Sequence, residues 1–227
     1  MPLIDYWKLP IAYHVFFCLF IAISIVELVF AFLEIEKARK IVKTFCLLFL
    51  TISMAFLVPN EPFLYIGLAL GAVGDFLLIF KKSQVLFILG TIAFFADHGF
   101  LIAEYIKLTG NSGPWYLCFT FFFIPIFTLA LMVPGWKLAN DKKLGTFGTF
   151  YFAVLFLDCI WAIISTITTG KYFGIAIMGG LFFIASDFIL TYTRFQKTIK
   201  RREFYVMGTY LLAQAFVALG VGFSALI

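Results

Sequence analysis

The chain has 227 residues, 63% of them apolar and 13% charged, with a mean hydropathy of +1.06. Soluble domains carry about half apolar and a quarter charged residues, so that class is excluded, together with disorder, collagen-like repeats and disulfide-built secreted modules. The net charge of +5 calls for no nucleic-acid partner: basic loops rest against anionic membrane lipids, and no stripe of aromatic and basic residues forms a platform for bases.

In chain order, apolar runs broken by charge or turn residues predict an all-α, polytopic membrane bundle of eight transmembrane helices. They span approximately 11–33, 43–58, 63–80, 84–106, 115–133, 146–168, 172–193 and 203–226. Residues 1–227 are thereby filled as a single integral-membrane domain. The first run is long enough to cross a bilayer and stay there, and lacks the small-residue cleavage site of a signal peptide. Pro59-Asn60-Glu61-Pro62, Thr109 to Pro114, and Pro134 to Gly145 supply breaks. The second span is the shortest of the set. Trp7, Trp115 and Tyr172, near span ends, read as interface anchors. Cys18, Cys46, Cys118 and Cys159 lie in apolar stretches without metal-ligand spacing and read as buried small hydrophobes.

Of the 17 Lys and Arg, all but Lys8, Lys107 and Lys171 fall in the loops after spans one, three, five and seven. Basic loops are retained on the cytoplasmic side, so both termini are expected on the non-cytoplasmic face. The expected location is the endoplasmic reticulum of a eukaryotic cell or the cytoplasmic membrane of a bacterium.

Ionisable side chains at bilayer depth cost at least a few kcal/mol, so each needs a reason. Glu27, Asp75, Asp97, His98, Asp158 and Asp187 are such groups. At 1.5 Å rise per residue, Asp75 lies about 8 Å from the cytoplasmic end of its span, Glu27 about 9 Å, and Asp187 and Tyr210 about 10 Å, with Gln214 one turn deeper. Asp97, His98 and Asp158 fall nearer the midplane. Small residues precede both Asp75 (Leu70-Gly71-Ala72-Val73-Gly74) and Asp187 (Met178-Gly179-Gly180 onward), which lets helices approach closely and set the two acids facing each other. Two carboxylates that share a proton in low dielectric provide an acid beside a base. With two His in the chain a three-His zinc centre cannot be built, and no G-x-S-x-G elbow, H-E-x-x-H or P-loop occurs. Neither a metal nor another cofactor is expected.

These residues resemble the YhhN family, whose characterised members are lysoplasmalogenases. Gly74-Asp75 is similar to its Gly-Asp motif, and Phe94-Phe95-Ala96-Asp97-His98 to its F-x-x-x-H helix. Gly180-Leu181-Phe182-Phe183-Ile184-Ala185-Ser186-Asp187, running on to Phe195, resembles its segment ending in Ser-Asp, and Tyr210-Leu211-Leu212-Ala213-Gln214 its Y-x-x-A-Q element. Asp97 stands where the family usually has a small residue, and Asp158 matches no family role. The resemblance implies an eight-span fold and hydrolysis of the vinyl-ether bond of a lysoplasmalogen, giving a fatty aldehyde and a glycerophospho-ethanolamine or -choline. Asp75, Asp187 and His98 are then the candidate catalytic residues, and Glu27, Lys43, Tyr210, Gln214 and Ser186 the candidate substrate-binding ones. The expected partners are a lysophospholipid substrate and membrane lipids, with Lys43, Lys81, Lys82 or Arg194 meeting the phosphate in a cavity open to the cytoplasmic side. Intramembrane acids also serve proton relays, so the alternative is a proton-linked transporter or lipid carrier.

Overall fold

The computed structural model describes residues 8–80, 83–110 and 114–227, with side chains from Cys118 onward in the last stretch. Among these residues there are eight helices: α1 (Ile11–Phe32), α2 (Glu36–Leu57), α3 (Pro62–Leu78), α4 (Gln84–Thr109), α5 (Pro114–Ala139), α6 (Lys142–Thr169), α7 (Phe173–Phe195) and α8 (Arg202–Ala225). Seven are long and apolar enough to cross a membrane, while α3, at 17 residues, is a shorter apolar helix. The outer surface confirms the solvent that composition demands. Ile11, Phe121 and Ile167 are 82%, 73% and 78% exposed, an arrangement that water would penalise and hydrocarbon does not. This is a multi-pass membrane protein.

Local signals set the helix ends. The Ser83 hydroxyl accepts from the Leu86 N–H at 3.2 Å and the Asp141 carboxylate from the Leu144 N–H at 2.8 Å, each satisfying one otherwise orphaned donor. Gly110 and Gly170 close α4 and α6 at φ +65°, a conformation glycine adopts without steric cost.

Short turns make neighbouring helices pack as hairpins: α1 with α2, α3 with α4, α5 with α6, α7 with α8. Helix α8 is the hub and touches α1, α2, α3, α4 and α7. Helix α5 is peripheral, and among the described residues its backbone comes close to those of α6 and α7. The α7–α8 contact is backbone-close, since a Cβ at Gly179 would fall 2.6 Å from Val217 Cγ2 and 2.7 Å from its backbone nitrogen. Polar latches join the turns at one end of the bundle. The Arg201 N–H donates to Glu34 Oε1 at 3.3 Å, and its guanidinium lies 3.8 Å from the centre of the Phe32 ring. The Gln196 amide donates to the carbonyls of Lys137 and Leu138 at 3.1 and 2.7 Å.

Three sequence expectations need correction. The second span was predicted to begin at 43, yet α2 begins at Glu36 and has 22 residues, so the shortest helix is α3. Hydropathy locates the lipid-compatible stretch, whereas Lys, Arg and Glu are good helix formers that extend the helix beyond it. Arg39 and Lys43, expected in a loop, are consequently buried on α2. The fifth span was predicted to end at 133 with a loop from Pro134, but α5 runs through both Pro125 and Pro134 to Ala139. Proline is tolerated inside helices of this kind where neighbouring groups re-satisfy the freed carbonyl. Finally, only Cys46 and Cys159 are buried, and Cys18 and Cys118 are exposed on the apolar exterior. Trp7, Lys81, Lys82 and the side chain of Trp115 lie outside the described residues.

Candidate active site

At the end of the bundle where α2, α4, α6 and α8 begin, a cavity of about 150 Å³ is lined by Asp75 from α3, Ser186 and Asp187 from α7, Lys43 from α2 and Tyr210 from α8. Its floor follows from small residues on α3. Gly74 lets the Phe94 ring lie flat against the α3 backbone, since a Cβ there would come within 2.8 Å of the ring. A Cβ at Gly71 would meet Asp97 Oδ2 at the same distance. The glycines thus bring α4 close enough for Phe94 to form the base of the cavity and for Asp97 to approach α8.

Asp75 is fully engaged. Lys43 Nζ lies 3.0 Å from its Oδ1, and the Tyr210 hydroxyl donates to its Oδ2 at 2.8 Å. Tyr210 in turn accepts from the Gln214 amide at 3.5 Å, and that amide donates to Asp97 Oδ2 at 3.4 Å. A polar chain of Lys43, Asp75, Tyr210, Gln214 and Asp97 therefore descends from the cavity into the bundle. Asp187 has a different environment: it accepts from the Tyr151 hydroxyl of α6, and no cation of the described residues lies within ion-pair distance. Beside it, Ser186 donates to the Val206 carbonyl at 3.0 Å, pinning α7 to α8.

The rim is basic. Arg39 bridges Glu27 Oε1 at 3.1 Å and Glu203 Oε2 at 3.2 Å, while Arg202 binds Glu203 Oε1 at 2.7 Å and the Thr193 hydroxyl at 2.6 Å. Arg39, Lys43, Arg194 and Arg202 line the cavity together with Asp75, Asp187 and Glu203. Guanidinium groups at such a mouth match the geometry of a phosphate.

Of the predicted site residues, Asp75, Asp187, Ser186, Lys43 and Tyr210 share this cavity. The other three do not line it. Glu27 lies beneath Arg39, and Gln214 stands behind Tyr210. His98 is deeper still, with Nδ1 3.3 Å from Asp158 Oδ2 and its ring 4.4 Å from that of Phe183, which also packs on Tyr210. Sequence reasoning missed Arg39, Arg202 and Tyr151. The first had a signal: Arg39, Lys43, Cys46, Leu47 and Leu50 recur at helical spacing on one buried face of α2. Tyr151 had a fainter one, lying two turns before Asp158 on the same buried face of α6.

A carboxylate bound to a cation, sharing a cavity with a carboxyl that has no cation among the described residues within ion-pair distance, is an arrangement suited to acid–base chemistry. Comparison with curated proteins and with solved structures returned no match. The family model described as the YhhN family matches residues 36–221, from the first residue of α2 into the last turns of α8, and every residue lining the cavity falls within that stretch. The chain belongs to the YhhN family.

Proposed function

We propose that this cavity hydrolyses the vinyl-ether bond of a lysoplasmalogen, releasing a fatty aldehyde and a glycerophospho-ethanolamine or -choline. Family membership supports the reaction class, and one observation carries its assignment to residues: Asp75 and Asp187 face the same cavity with unlike partners. Asp187, with no cation of the described residues within ion-pair distance, is the acid. It delivers its proton to the vinyl carbon remote from oxygen, and the C=C electron pair forms the new C–H bond. The oxocarbenium cation left at the carbon attached to oxygen is stabilised by the Asp75 carboxylate. Water then adds to that carbon and passes a proton to Asp75. When the hemiacetal collapses, its hydroxyl proton returns to Asp187 and Asp75 protonates the departing alcohol oxygen, restoring both acids.

Arg39, Arg194 and Arg202 hold the phosphate at the mouth, and Lys43 serves as counter-ion to Asp75. Tyr210, Gln214 and Ser186 hold the acid pair in place, and His98 with Asp158 supports them from below through Phe183. The distribution of basic residues directs the mouth to the cytoplasmic leaflet, with eight spans and both termini on the far side. The test is aldehyde release by purified protein offered a lysoplasmalogen beside an acyl lysophospholipid of the same headgroup. Turnover of the vinyl ether alone is expected. Cleavage of neither, with transfer of intact lipid between vesicles, would replace the hydrolase by a lipid carrier.

A further inference from the structure

A second, apolar cavity adjoins the first. It is bounded by α4, α5, α6 and α7, and Leu78, Phe87, Phe94, Leu190 and Asp187 belong to both. Asp187 is therefore the seam between a basic compartment and an apolar one, and Tyr151, which donates to it, lines the apolar side. Helices α4 and α5 line opposite parts of this apolar compartment, α4 with Phe87, Thr91 and Phe94 and α5 with Gly135, Leu138 and Ala139. Where α5 meets α6, Gly135 and Gly145 are in backbone contact, and a Cβ at Gly145 would fall 2.6 Å from the Gly135 carbonyl oxygen. Three residues on, Gly148 also lines the compartment, yet a Cβ there would meet no atom within 4 Å. The first glycines close a helix pair; Gly148 leaves space.

We infer that this compartment binds the alkyl chain of a single-chain, phosphate-bearing amphiphile, and that Gly148 sets how much of the chain it accepts. The identity of the occupant rests on the proposed function in one respect only, the phosphate held by the basic rim. Continuity of the two compartments supplies the rest. An amphiphile with its phosphate against Arg39 and Arg202 has an apolar route past Asp187 into this second compartment. A chain in this position brings the bond joining tail to headgroup next to the Asp187 carboxyl.

The experiment measures binding of hexadecyl- and octyl-phosphocholine to purified protein in detergent, for wild type and Gly148→Leu. Neither probe contains a vinyl ether, so hydrolysis plays no part in the readout. The leucine side chain would displace roughly two methylenes of the longer chain, each worth about fourfold in affinity, so the ratio of hexadecyl to octyl affinity is expected to fall about fifteenfold. Because the ratio is taken within one sample, any loss of folded protein cancels. An unchanged ratio in Gly148→Leu overturns the inference, as does a wild type that binds the two probes equally. If the ratio falls but wild type releases no aldehyde from a lysoplasmalogen, the tail site stands and the hydrolase reading fails. If aldehyde is released but the ratio is unmoved, the reverse holds.

Discussion

Replacing Asp187 with Asn is expected to lower vinyl-ether hydrolysis by about two to four orders of magnitude, the range a positioned general acid supplies. Asparagine keeps the shape of the side chain, and its carbonyl oxygen still accepts from the Tyr151 hydroxyl, so the α6–α7 contact survives. What is lost is a proton held where the substrate's vinyl carbon would lie. Arg39 and Arg202, the groups proposed to hold the phosphate, are untouched, so KM should change little while kcat falls. The measurement is aldehyde release at saturating lysoplasmalogen, with the thermal transition of the same preparation as a check on folding. A folded variant within about tenfold of wild type would remove Asp187 from the role of acid.

The second large effect concerns stability. Lys43 and Asp75 are both buried, their side chains 11% and 3% exposed. Lys43→Met leaves an anion in a low-dielectric interior with only the Tyr210 hydroxyl as close partner, and breaking a buried pair in this way costs about 3–5 kcal/mol. The double change Lys43→Met with Asp75→Asn should recover most of that loss, because it removes the orphaned charge and leaves the carboxamide oxygen to accept from Tyr210. Unfolding in mixed micelles titrated with a denaturing detergent measures both. If the single variant is as stable as wild type, the lysine is hydrated in solution and the ion pair is not part of the structural core.

Reading hydropathy along the chain recovers the helices because in lipid every backbone polar group must be paired within its own segment, so each apolar run has one available structure. It recovers less well where those helices end. The first two turns of α2 and the last turn of α5 carry Glu36, Lys37, Arg39 and Lys137, residues that hydropathy assigns to water and that the helix simply includes. Asp75 and Asp187 were legible because a carboxyl beside glycines in an apolar run demands explanation. Arg39 was harder to read, since an arginine at a span end has a ready account as a topological signal, and that account masks its helical spacing with Lys43, Cys46, Leu47 and Leu50. Tyr151 was one tyrosine among ten, and its contact with Asp187 joins two helices whose pairing no linear pattern reports.

The bridge between Lys43 and Asp75 also constrains biogenesis. The cation belongs to α2 and the anion to α3, so as each helix leaves the translocation machinery alone it carries an uncompensated charge that hydrocarbon disfavours by a few kcal/mol. Partition becomes more favourable when the four residues from Val58 to Glu61 fold back and Lys43 and Asp75 enter as a neutralised pair. A nascent chain cut after α2 should therefore be retained in microsomes less completely than one extended through α3. That difference should vanish when Lys43 is replaced by Met.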